Sequence, residues 1–247
     1  MLSRLSLALV SGLVLTAAAS TAQAQVTYND AVGDIASGIN NAGGTLDIVR
    51  MEVSNTATDI VFRLTVNGFV QGPGATDWGK FMIGISTGSN GGDLAPNGNG
   101  WTRPISMNSP LGGMNYWIGS WVDGGGGAQR WRYNGFVPWE EAAATYTPGS
   151  GFGSFSFANA QLTYTMSLAS LGLSIGSTFY FDAYSSGSGS GDSAIDSLAN
   201  PNVSVTGWGG PYTSGGSNPI YSYTVVPAPG AVALLGRAGL MARGRRR

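Results

Sequence analysis

The side chains able to do acid–base or metal chemistry in this 247-residue chain are almost all carboxylates. There are 13 of them, with no histidine and no cysteine. That composition excludes a Ser-His-Asp triad, a Cys-His pair and a histidine-ligated zinc or iron site. Glycoside cleavage remains open in principle, because it needs only two carboxyl groups about 5–9.5 Å apart across a cleft. The glutamates are Glu52, Glu140 and Glu141. Glu140 and Glu141 are adjacent, so on a strand they point to opposite faces. Asp192 and Asp196 sit at helical spacing in a Ser/Gly-rich stretch, and no Glu-x-Asp-x-x-Glu run occurs. The expectation is a protein that is not an enzyme.

The carboxylates also offer hard oxygen ligands for calcium. Asp30, Asp34 and Asp47 bracket a glycine- and asparagine-rich loop from Gly33 to Gly44. Carboxylates held close together repel, and an ion bound only by the folded state relieves that repulsion. The competing reading makes these aspartates solvated turn formers. A second oxygen-rich loop, Thr87 to Gly100, carries Asp93, Asn97 and Asn99 at a spacing that fits no EF-hand. It reads more simply as a surface connection, as does the glycine- and serine-rich stretch from Ser185 to Gly191.

A third constellation is aromatic. Asn115 to Asp123, four glycines and Ala128 to Gly135 read as strand, tight turn and return strand. Alternation puts Trp117 and Trp121 on one face and Tyr116, Ile118 and Val122 on the other. If the four glycines are the loop, Asp123 pairs with Ala128 and Trp121 opposes Arg130. Gly119 then opposes Arg132, and Trp131 joins the Ile118 face. The result is a Trp/Arg face of Trp117, Trp121, Arg130 and Arg132, suited to stacking sugar rings and bonding their hydroxyls. A one-residue slip would exchange the partners. The alternative reading is ordinary core packing with cation–π pairs across strands.

The elements that must position these groups are strands. Ile60, Phe62, Leu64 and Val66 alternate with polar neighbours, and the same period recurs at Phe81–Ile85, Leu162–Leu168, Phe179–Ala183 and Tyr221–Val225. Gly, Asn, Ser and Pro clusters separate the runs. Only Ser167 to Leu173 reads as a helical turn. The pattern predicts an all-β, antiparallel, jelly-roll-like β-sandwich over residues 25–224. With no disulfide, its stability rests on one core or a bound ion.

Both ends of the chain read as addresses. Met1 to Ala24 has a basic residue, an apolar core and an Ala22-Gln23-Ala24 cleavage site, the pattern of a secretory signal peptide. Residues 225–247 contain a Pro-Ala-Pro-Gly turn (Pro227, Ala228, Pro229, Gly230). A short apolar stretch that reads as helix follows, and then Arg243, Arg245, Arg246 and Arg247. The apolar stretch, Ala231 to Ala242, is well short of the ~20 residues that span a bilayer. Arg237 interrupts it, which suits transient rather than permanent membrane contact. Setting these ends aside leaves 6 basic against 13 acidic residues, a net charge of −7. Such a body is a poor partner for nucleic acid.

Proline motif, apolar stretch and arginine cluster together resemble the C-terminal sorting signal of bacterial PEP-CTERM proteins, with Ala228 where that family has Glu. The resemblance implies an exosortase-type membrane protease as partner and the cell surface or extracellular matrix as destination. The fragments DAVGD, LDIVRMEVSNTATDIVFRLTVNG and LASLGLSIGSTFYFDAYSSG look like parts of exported β-sandwich domains related to family-nine carbohydrate-binding modules and DOMON domains. That likeness implies a structural calcium ion near the first strands. The leading expectation is therefore a non-enzymatic, exported surface or matrix protein. A carbohydrate-binding module recognising exopolysaccharide is the alternative, and a polysaccharide hydrolase comes third.

Overall fold

The side chains of Ile60, Phe62, Leu64 and Val66 are buried while their neighbours along the strand are half-exposed, as their alternation predicts. The computed structural model describes residues 24–71, 78–147 and 149–227. The signal peptide up to Gln23 lies outside these residues, as do Ala228, Pro229, Gly230 and the whole arginine cluster. The described chain is all-β, with antiparallel sheets packed together as in a β-sandwich.

The first sheet joins β1 (Ala24–Asn29), β2 (Ile48–Asn55), β3 (Asp59–Val66), β10 (Gln161–Ser167) and β9 (Ser154–Ala158) in the order β1-β2-β3-β10-β9. The second runs β12 (Asp196–Ser197), β11 (Thr178–Ser186), β4 (Lys80–Ser86), β6 (Tyr116–Trp121), β7 (Gly127–Arg132) and β8 (Glu140–Ala144), with β14 (Tyr221–Thr224) also paired to β11. Phe62 of the first sheet meets Phe179 and Phe181 of the second at 6.2 and 6.1 Å between ring centroids. At the same interface the Ser120 and Tyr164 hydroxyls lie 2.7 Å apart, which satisfies two polar groups inside the core. The predicted helical turn forms as a single 3-10 turn at Leu168–Leu171. Ser167 caps it by accepting from the Ser170 N–H, and Gly172 ends it in the left-handed region.

The second sheet is covered on both faces, which alternation did not predict. Along β6, the residues from Tyr116 to Ser120 are all buried. The outer cover comes from the long connections, where β5 (Ile105–Asn108) and β13 (Tyr212–Gly215) form a small parallel pair. The methyl ends of Met114 and Met107 lie close over Gly84 of β4, where a Cβ would fall 2.9 and 3.1 Å from them. Asp182 of β11 ties this cover down. Its buried carboxylate accepts from the Ser197 and Ser214 hydroxyls and from the Ala183 and Ala199 N–H groups. Burial pushes its carboxyl up to about 6 against those hydrogen bonds.

The loop from Thr87 to Gly100 runs over the surface, as expected, but two of its side chains tie it to the body. Asp93 accepts from the Trp139 indole N–H at 2.8 Å. Asn99 is buried and bonds the backbone of Trp101, Arg103 and Ile105 through both ends of its amide.

Candidate functional site

Three carboxylates converge at the junction of the two sheets. Asp30 follows β1 of the first sheet, Asp34 lies in the loop after it, and Asp196 belongs to β12 of the second. One oxygen from each lies within 4.8 Å of the others. Asp30 Oδ2 and both Asp34 oxygens are buried without a hydrogen-bond partner. Asp196 is fully buried and accepts from the Ile48 N–H at 2.6 Å and the Ser197 N–H at 2.9 Å.

The electrostatics follow from the crowding. Burial first, then the charges of Asp196 and Asp34, push the Asp30 carboxyl up to about 9. Burial likewise raises Asp196 to about 8, helped by Asp34 and Asp47 and opposed by the two backbone N–H groups. Asp34 is raised by burial and by Asp47, while its own backbone N–H and the Asp30 carboxyl pull it down. Crowded, buried carboxyls respond in this way, by holding protons, when no cation neutralises them. Every charged side chain that shifts this trio is itself an acid.

This trio differs from the expected grouping of Asp30, Asp34 and Asp47. Asp47 is not its third member. Its carboxylate accepts from the Gly33 N–H through both oxygens, at 2.9 and 3.1 Å, and from the Asn67 amide at 3.1 Å. Asp47 therefore shapes the loop that carries Asp34. Asp196 takes the third place from a position 166 residues after Asp30, a distance no local spacing can reveal. The signal was its context: a lone carboxylate between Ala194, Ile195, Leu198 and Ala199, all of them buried.

The aromatic hairpin also differs from its expected register. Trp121 pairs with Gly127, Ile118 with Arg130 and Tyr116 with Arg132. The predicted pairing is off by three residues, an odd number, so β7 presents the opposite faces. Trp131 shares the face of Trp117 and Trp121. Arg130 and Arg132 lie on the other face and do not join the tryptophans. The physical reason is Gly127, which is needed in the strand rather than the turn. A Cβ there would fall 2.3 Å from the Trp121 ring. The turn is instead closed by the Gly126 N–H bonding to the Asp123 carbonyl at 2.9 Å, with Gly126 at φ 75°.

These side chains have separate environments. Trp117 is fully buried between Tyr184, stacked at 6.1 Å, and Trp101, edge-on at 6.2 Å. Trp121 is half-buried. Arg130 is buried, bonds the Ser170 carbonyl at 2.8 Å, and has its pKa lowered by burial. Arg132 is exposed and paired with Glu140 at 2.7 Å. Glu141 lies on the tryptophan side and accepts from Gln129 and Tyr146.

Pro227, the first residue of the sorting motif, is exposed. Val225 and Val226 before it are pinned to the body. Gly176 donates to the Val225 carbonyl at 2.7 Å, and the Asn55 amide donates to the Val226 carbonyl at 2.8 Å. No protein family, curated protein or solved structure matches this chain.

Proposed function

We propose that this chain is a non-enzymatic, exported β-sandwich protein of the cell surface or matrix, whose two sheets are joined by a divalent cation. The observation that carries the reading is the convergence of Asp30, Asp34 and Asp196, with three buried oxygens lacking any partner. An all-oxygen, anionic donor set suits calcium and is a poor site for softer metals. Asp30 and Asp196 come from different sheets, so an ion between them cross-links the sandwich where other exported proteins use a disulfide. Two further observations support the non-enzymatic part. Glu140 is tied to Arg132, and Glu141 to Gln129 and Tyr146. Turnover of a polysaccharide that is abolished by Glu140→Gln or Glu141→Gln would overturn that part.

The export half of the proposal rests on the two terminal segments and the resemblance of the tail to exosortase substrates. It is supported by the exposure of Pro227, directly after the point where Asn55 and Gly176 hold the chain. Intact mass spectrometry of protein recovered from the cell surface or medium is expected to find a species that starts near Gln25 and lacks the arginine cluster. A mature species that still ends at Arg247 would remove the sorting role.

A further inference from the structure

We propose that the outer side of the β6–β7 hairpin binds a neutral polysaccharide chain along a ribbon of three rings, Trp101, Trp121 and Tyr146. The proposal goes beyond the cation site and does not depend on it. The rings follow one another at 6.5 and 6.2 Å between centroids, with planes inclined by 42° and 41°. They are half-buried or exposed, and Trp101 and Trp121 are fixed from beneath. Trp101 lies over Gly119, where a Cβ would fall 2.3 Å from its ring, and its indole N–H bonds Gln129 at 2.6 Å. Trp121 lies over Gly127 in the same way. Preset apolar faces bind with little loss of side-chain freedom.

Two clefts continue the ribbon. One, of about 350 Å³, is lined by Lys80, Trp101, Arg103, Trp121, Gln129 and Ser188. The other, of about 440 Å³, passes Tyr146 and the Gly125–Gly127 turn toward Phe155 and Phe157. An open track with aromatic floors fits a chain of rings better than a single small molecule. The polar rim supplies hydroxyl partners: Ser188 and Ser190 are exposed, and the Glu141 carboxylate borders Tyr146.

The charge pattern selects the class of chain. Lys80 is already paired with Asp123 at 3.0 Å. Arg103 is buried, its Nη1 and Nη2 donate to the Ser186 hydroxyl and the carbonyls of Asp192 and Gly187, and its guanidinium lies over the Trp101 ring at 5.4 Å from the centroid, with only the buried Nε lacking a partner. Among the described residues the two cations lining the clefts, Lys80 and Arg103, are thus held by other groups, and Glu141 would repel a uronate. Pyranose C–H faces on the rings and hydroxyls on the rim are the complementary chemistry.

The test is affinity electrophoresis of the full-length protein in calcium-containing buffer. Soluble β-glucan, xyloglucan and mannan serve as neutral polymers and polygalacturonate as the acidic one. At least one neutral polymer is expected to retard the protein. Trp121→Ala and Tyr146→Ala are each expected to weaken binding by roughly tenfold, about 1.4 kcal/mol. Gly127→Val keeps every ring but lifts Trp121 from its seat, and it is expected to weaken binding too. Melting temperatures recorded alongside separate a lost ribbon from a lost fold or a lost cation. Absence of binding to every neutral polymer, binding confined to polygalacturonate, or full binding in both alanine variants would overturn the proposal.

Discussion

At pH 8.5, exchanging chelator for millimolar calcium is expected to raise the melting temperature by roughly 5–10 °C, and at pH 4.5 to change it little. A ligand that binds only the folded state stabilises it by RT ln(1 + [L]/Kd), about 2.7 kcal/mol at a hundredfold excess over Kd. For a body of about 200 residues each kcal/mol moves the midpoint by roughly 2–4 °C. The pH dependence follows from the folded-state shifts. Asp30 and Asp196 titrate near 9 and 8 in the fold and near 3.8 when unfolded. Between those limits the folded protein holds protons that the unfolded chain has released. The metal-free protein therefore loses stability as pH rises from about 4 toward 9. Calcium replaces those protons, so its benefit is absent where the carboxyls are protonated and greatest where they would be charged. Asp196→Asn removes a ligand charge but keeps only one of the two oxygens that accept from the Ile48 and Ser197 N–H groups. It is expected to abolish the calcium response, read as the difference between calcium and chelator within the variant, whatever the lost hydrogen bond costs the metal-free protein. Equal melting temperatures with calcium and chelator at both pH values would mean the trio holds no ion.

Much of the fold was legible because burial on one face leaves a period-two pattern. β3 and β10 alternate in sequence and in burial alike, and Ser167 with Gly172 marks the one short turn of helix. Sheet two was less legible. Its outer face is covered by residues such as Met107, Met114 and Tyr212, which come from long loops with no periodicity of their own. A strand buried on both faces loses the contrast that alternation depends on. The hairpin failed for a different reason: four successive glycines could be turn or strand, and only the need to seat Trp121 makes Gly127 part of the strand. For the acidic site, sequence proximity found Asp30 and Asp34 and then picked Asp47, a neighbour in the chain that supports the site without joining it. Asp196 arrives through the pairing of β12 with β11, a contact that only the folded topology creates.

That reading of the hairpin leads to the largest stability change expected from a single substitution. Trp117→Ala should cost about 3–5 kcal/mol, the usual range for truncating a fully buried aromatic side chain. The melting temperature should then fall by roughly 6–20 °C. The indole fills the space between Tyr184 of β11 and the Trp101 cover, so its loss leaves a cavity between the second sheet and the layer over it. Trp121→Ala, four residues along the same face, is expected to cost only about 1 kcal/mol because one side of its ring already meets solvent. Trp117→Phe gives a sharper comparison. The Trp117 indole N–H is buried without a partner, and such a group costs about 1–3 kcal/mol. Phenylalanine removes that donor and keeps most of the ring, so this variant should melt close to the parent protein. The three proteins, melted side by side in calcium, should rank Trp117→Ala far below Trp121→Ala, with Trp117→Phe near the wild type. If the two alanine variants melt together, Trp117 is not the buried anchor of the outer layer. The seating of Trp101, and with it the ribbon built on that ring, would fall as well.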